Sequence, residues 1–265
     1  KLLEKIKNIP NCIVYKDFYK KLTINDVEYV GIIMEYIKGE EFIKIVKCLI
    51  QYPDNPSTPP KSIVYKLFFD VLTSLKELHK INIVHRDLKP QNILVDNHCN
   101  FKLIDFGYSC LINDIDPFIK CKNNIVGTPR YLDPGLFNPY NVDDFEFIKS
   151  TDIWSLGVLA YRFTNKKDFF TDIDELRKIF SSKEKIISEY FDENINKLIE
   201  YCLEHNYKKR KTAQELYDLL MVMIDEEYSE EKKLNPKDLD ANNLYEFYKN
   251  GHQQDMTTYV LSILN

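Results

Sequence analysis

Residues 83–110 read IVHRDLKPQNILVDNHCNFKLIDFGYSC, setting an acid, an amide and a second acid at Asp87, Asn92 and Asp105. Between the last two lie short apolar alternating runs, NILVD and FKLID, joined by NHCN. Alternation on either side of a polar turn predicts a β-hairpin. Upstream, Val64, Leu67, Phe68, Val71, Leu72, Leu75 and Leu78 recur at a 3.6-residue period and predict a core helix of about five turns. Thr58 and Pro59 suit its N-cap and first helical position. Downstream, DIWSLGVLAYRFT is apolar on nearly all sides, which predicts a helix buried within the domain.

The flanks complete the pattern. KLLEKIKNI has helical spacing that Pro10 and Asn11 break, giving the tail of a helix. CIVYKDFY and VEYVGIIMEY are rich in β-branched and aromatic residues around the polar turn TINDV and predict another hairpin. EEFIKIVKCLIQY has amphipathic spacing, YPDNPSTPP is a proline-rich loop, and helical patterns fill most of 174–225. A little β structure followed by many helices makes an α+β fold. After Ile224, DEEYSEEKK reads as a solvated charged run, and residues 225–265 as a peripheral helical extension.

The chain has 265 residues, 44% of them hydrophobic, enough for one large core or two smaller lobes. A net charge of −5 points to neither nucleic acid nor an anionic membrane. The six cysteines include no C-x-x-C pair and no histidine lies at zinc spacing, so reduced thiols in a cytoplasmic protein are expected. No apolar run reaches the roughly 18 residues that span a bilayer.

Phosphoryl transfer to a hydroxyl needs an acceptor for the proton and a metal to neutralise the nucleotide oxygens. Asp87 can take the proton, Asn92 and Asp105 offer the hard oxygens that magnesium prefers, and Lys89 adds a point charge for phosphate. HRDLKPQN at 85–92, followed by DFG at 105–107, resembles the catalytic and magnesium-binding loops of eukaryotic protein kinases. GTPRYLDPG at 127–135 looks like the kinase loop that receives the protein substrate, and DIWSLG at 152–157 like the buried helix beneath the catalytic loop. Small-molecule phosphotransferases related to the kinases lack this second pair.

The resemblance covers residues 1 to about 224. It implies a two-lobed fold: a partial N-lobe and hinge at 1–37, made of a helix tail and one hairpin, and a complete, mainly α C-lobe at 38–224. By resemblance, Met34 is the gatekeeper, the backbone of Glu35, Tyr36 and Ile37 meets adenine, Glu41 lies near the ribose and Leu94 forms the floor under the base. Asp152 should hold the backbone of the His85–Arg86 turn, and Arg210 should brace the end of the substrate loop. Lys89 and Thr128 resemble the serine/threonine class, in which the lysine meets phosphate and the threonine steadies lysine and base. ATP, Mg2+ and a protein carrying a Ser or Thr acceptor follow as cofactors and substrate.

Three departures stand out. Nothing resembles the Gly-rich loop or the strand lysine, which would lie before Lys1; with Lys1 not an initiating residue, the chain reads as a piece of something longer. The family's Ala-Pro-Glu is Asp133-Pro134-Gly135, so Asp133 is expected to replace the glutamate opposite Arg210. Residues 110–127 hold no Ser, Thr or Tyr, leaving Asp114 or Asp116 to supply fixed negative charge in place of a phosphate. The missing parts leave a pseudokinase or scaffold as the alternative, against which Asp87, Asn92 and Asp105 all stand.

Overall fold

The computed structural model describes residues 2–51, 59–112, 125–137, 144–170, 174–175, 178, 181 and 186–232. A short helix α1 (Leu2–Ile6) leads to β1 (Tyr15–Ile24) and β2 (Val27–Met34). These strands pair antiparallel across Asn25 and Asp26, both at positive φ, the geometry that a tight two-residue hairpin turn requires. Despite their apolar content, both faces are largely exposed, with Val30 at 67%. Among the described residues the hairpin leans on little beyond α1.

From β3 (Gly39–Glu41) the chain enters α2 (Phe42–Gln51). The next helix, α3, runs Lys61–Lys80, two residues later than the sequence suggests. Pro60 caps it with an extended ψ of 141°, and Pro59 precedes another proline, which disfavours helical backbone. Thr58 lies outside the described residues.

The strands β5 (Ile93–Asp96) and β6 (Phe101–Leu103) form the expected hairpin, and β3 adds to its edge to give the order β3-β5-β6. A second small ladder joins β4 (Ile83–Val84) to β7 (Cys110–Leu111). Helix α4 (Phe145–Asn165) is buried along most of its length, and Trp154 is fully enclosed. Gly157 lets α4 approach α5 (Glu193–Cys202): a Cβ there would sit 2.7 Å from that of Cys202.

Thr212 and Glu215 cap α6 (Ala213–Lys232) reciprocally, each side chain bonding the other's N–H. The helix continues through Asp225–Lys232, so the charged run is helical there and the expected start of the extension at 225 falls within α6. Residues 233–265 lie outside the described set. One apolar core joins α2, α3, the β5–β6 hairpin, α4, α5 and α6, and Phe42 meets Phe101 and Phe163 edge-on at its centre.

Cys12, Cys99 and Cys202 are buried thiols, and burial pushes Cys12 and Cys202 up to about 12. Cys110 is disulfide-bonded, contrary to the expectation of six reduced cysteines. No helix among the described residues is long and apolar enough to cross a membrane.

Candidate active site

The site begins at the turn after β4. Arg86 has a left-handed φ of 67°, a conformation that non-glycine residues keep only where the surroundings hold it. Asp152 of α4 supplies that hold: its carboxylate accepts from the N–H groups of His85 at 2.9 Å and Arg86 at 2.8 Å, and bonds His79 Nε2 at 2.9 Å. Full burial works to raise this carboxyl, but the His79 bond and the backbone donors outweigh it and hold it below the usual range. The His85 ring is fixed in turn. Its Nδ1 accepts from the Asp87 N–H, so Nε2 carries the proton and donates to the Ile104 carbonyl at 3.1 Å.

Asp87, 4% exposed, is gripped from two sides. Asn92 Nδ2 donates to its backbone carbonyl at 2.8 Å and to Oδ2 at 2.9 Å. Thr128 donates to Oδ1 through both its N–H (2.9 Å) and its hydroxyl (2.8 Å). Lys89 Nζ lies 2.6 Å from Oδ2 and also donates to Thr128 Oγ1 at 2.8 Å. Three residues from two loops thus converge on one carboxylate. Gly127 allows the loops to meet: its φ is +115°, and a Cβ would sit 2.6 Å from the Arg86 carbonyl.

Both Asn92 bonds use the amide nitrogen, which turns Oδ1 away from Asp87. The Ile104 N–H donates to the Asn92 carbonyl at 2.9 Å, so the next residue, Asp105, stands beside Asn92 across the hairpin. Asp105 is exposed, has a φ of 57° and accepts from the Gly107 N–H at 3.1 Å. Two hard-oxygen side chains on adjacent backbone suit magnesium, which takes few protein ligands and fills its shell with phosphate and water. Among the described residues no cluster of three or more His, Cys, Asp or Glu side chains forms a closed metal cage.

This constellation can accept a proton, place a cation against phosphate and hold a hard metal ion. The protein kinase domain family matches residues 1–220. The chain belongs to the protein kinase family. It is 31% identical over 202 residues to the serine/threonine-protein kinase nekl-2 of Caenorhabditis elegans, covering 72% of this chain and 53% of that protein. It is 26% identical over 218 residues to the serine/threonine-protein kinase KIC1 of Saccharomyces cerevisiae, covering 81% of this chain and 18% of that protein. With PSK2 of the same yeast, also named a serine/threonine-protein kinase, it shares 36% identity over 152 residues, covering 57% and 13%. The chain spans about half the length of these relatives or less.

Among the residues expected to meet the nucleotide, Met34 ends β2 half exposed and Tyr36 is 88% exposed. The Glu35 N–H donates to the Val14 carbonyl at 2.8 Å, fixing the segment against the start of β1. The Glu35 side chain accepts from the Val14 N–H at 3.0 Å and from Lys102 Nζ at 3.2 Å. Lys102 pairs with Leu94 across β5–β6, and Leu94 pairs with Glu41 across β3–β5. Glu41 and Leu94 therefore lie in the three-stranded sheet whose central strand follows directly on Asn92, while Met34 ends the separate β1–β2 hairpin.

The 127–135 segment is anchored beneath. Ser155 Oγ donates to the Tyr131 carbonyl at 2.7 Å, and Asp168 pairs with both Arg130 and Arg162. Arg210 Nη1 meets Asp133 Oδ2 at 2.5 Å with both side chains fully buried, the replacement pairing that the sequence suggests. Asp114 and Asp116 lie outside the described residues.

Sequence reasoning missed three contributors. His79 bonds Asp152 from 73 positions away, and no local pattern announces it. The Lys102 contact to Glu35 crosses 67 positions. Lys66 and Asp70 form a buried ion pair at 2.5 Å, and Asp70 also accepts from the Phe101 N–H at 2.8 Å, bracing the β5–β6 hairpin from α3. Their i,i+4 spacing on the apolar face of α3 was the available signal.

Proposed function

We propose that this chain carries the catalytic machinery of a serine/threonine protein kinase, transferring the γ-phosphate of ATP to a protein hydroxyl. The observation that carries this reading is the Asp87 carboxylate held at once by Asn92, Thr128 and Lys89. Asp87 accepts the proton as the acceptor oxygen bonds to the γ-phosphorus and the bond to departing ADP breaks. Oδ2 becomes available when Lys89 turns from it to the phosphate, while Thr128 keeps Oδ1 aimed. Asn92 Oδ1 and Asp105 would hold Mg2+, which when bound would neutralise charge on the nucleotide oxygens.

Adenine lies between Leu94 and the 34–37 segment, bonded by the Glu35 carbonyl and the Ile37 N–H, with Glu41 at the ribose. The Lys89–Thr128 bond and the names of the relatives favour serine or threonine over tyrosine. Neither nucleic acid nor membrane is needed as a partner. The buried thiols support a cytoplasmic setting, and the Cys110 disulfide is the observation that runs against it.

Thermal unfolding with and without ATP tests the nucleotide site. ATP with Mg2+ should raise the melting temperature, the rise should shrink without Mg2+, and Asp105→Asn should remove the Mg2+-dependent part. A response indifferent to both Mg2+ and Asp105 would overturn the assignment of the metal ligands.

A further inference from the structure

A cleft of about 820 Å3 opens between the C-terminal end of α3, the start of α4 and the 207–215 segment, and none of the residues around Asp87 lines it. Its walls carry seven lysine and arginine side chains against three carboxylates, on a chain whose net charge is −5. The basic residues come from three separate elements: Lys76 and Lys80 from α3, Lys149 from α4, and Lys208, Lys209 and Lys211 from the run KKRK.

The carboxylates of the cleft are already engaged. Asp144 caps α4 and accepts from the Tyr207 hydroxyl at 2.8 Å. Glu146 pairs with Lys149, and Glu215 caps α6 through Thr212. Lys208 and Lys209 are exposed, and no carboxylate lies within 4 Å of either ammonium among the described residues. Lys76 is held over the Tyr217 ring at 4.2 Å, and both it and Lys80 draw on the single carboxylate of Glu77. Arg210, at the inner wall, is committed to Asp133 and the Glu204 carbonyl, while its Nη2 remains a buried donor with no hydrogen-bond partner among the described residues.

We propose that this cleft is a second binding site, lined by none of the residues that hold Asp87, for a compact anion carrying several phosphate groups. Ammonium groups recognise phosphate as point charges and need no planar partner, whereas a lone carboxylate would favour an uncommitted arginine fork. Several converging lysines ask for a multivalent ligand. A volume of about 820 Å3 falls within the range of small-molecule sites and is short of the extended track that a nucleic acid backbone occupies. A soluble inositol polyphosphate and the phosphorylated headgroup of an inositol lipid present the same chemistry.

Calorimetric titration of the 265-residue chain with inositol hexakisphosphate, in the absence of Mg2+, tests the site. Saturable binding is expected, at least tenfold weaker in the Lys208→Glu/Lys209→Glu double variant and unchanged in Asp105→Asn, which reports on the nucleotide site. Affinity should fall as salt rises. Lys208→Gln/Lys209→Gln removes the charge without reversing it and should show an intermediate loss, and both doubles should melt at the temperature of the unsubstituted chain. Vesicles with and without phosphatidylinositol bisphosphate assign the source: vesicle binding that depends on the same lysines identifies a lipid headgroup, and binding of the soluble probe alone identifies a free ligand. No saturable binding of either probe, equal affinity in the double variants, or binding of an oligonucleotide alone would overturn the proposal.

Discussion

At the scale of single residues, the account rests on how Asp87 is held. Thr128 Oγ1 both donates to Asp87 and accepts from Lys89, so Thr128→Ala removes one bond to the carboxylate and one to Lys89 without touching the nucleotide segment. Turnover should fall about tenfold or more, roughly 1.4 kcal/mol in the barrier, with KM for ATP little changed. Thr128→Ser should recover most of the loss, and steady-state kinetics on the three proteins would check this. Asp87, Asn92, Asp105 and Lys89 are visible in sequence because the chemistry demands those side-chain types at close spacing. The contact of Thr128 with Asp87 was legible only through the family resemblance, since Thr128 lies 41 positions away and no local spacing links the two.

At the scale of elements, the buried Arg210–Asp133 pair ties the end of the substrate loop to the segment before α6. Asp133→Ala leaves a buried guanidinium without its counter-ion, a change that costs about 3–5 kcal/mol. For a chain of this size that should lower the melting temperature by about 10 °C, measurable by calorimetry. A shift typical of surface substitutions would remove Asp133 from this role. Gly157→Ala should also destabilise, by about 1–3 kcal/mol, because its Cβ would collide with Cys202 and Leu203 across the α4–α5 contact.

Elements themselves were legible where periodicity was strong, as in α3, α4 and the β5–β6 hairpin. The start of α3 was misread because Thr58-Pro59 resembles a cap, yet Pro60 excludes Pro59 from the helix. The charged run at 225–232 reads from its composition as solvated, and it forms the end of α6 without a break at 225.

At the scale of the whole molecule, Asp152 joins α3, α4 and the catalytic turn through His79, His85 and Arg86. Its folded carboxyl is held below its unfolded value, so its stabilising contribution is fully present above about pH 4 and lost as pH falls through the folded value. Asp152→Asn should therefore be less stable than the unsubstituted chain by about 3 kcal/mol at neutral pH. The gap should close below about pH 4, as denaturant unfolding at several pH values would reveal. A gap independent of pH would mean that packing, not charge, sets the role of Asp152.

The joining of distant parts through buried polar groups is what the sequence conveyed least, because such contacts carry no periodicity. Phosphoryl transfer through Asp87 is the activity on which every role proposed for the site depends. The most direct measurement is transfer of labelled γ-phosphate to a protein substrate, with phosphoamino-acid analysis, comparing the unsubstituted protein with Asp87→Asn. Label on serine or threonine that drops by about 10² to 10⁴ in Asp87→Asn is the predicted result. Equal labelling by the two proteins, or label on tyrosine alone, would contradict it.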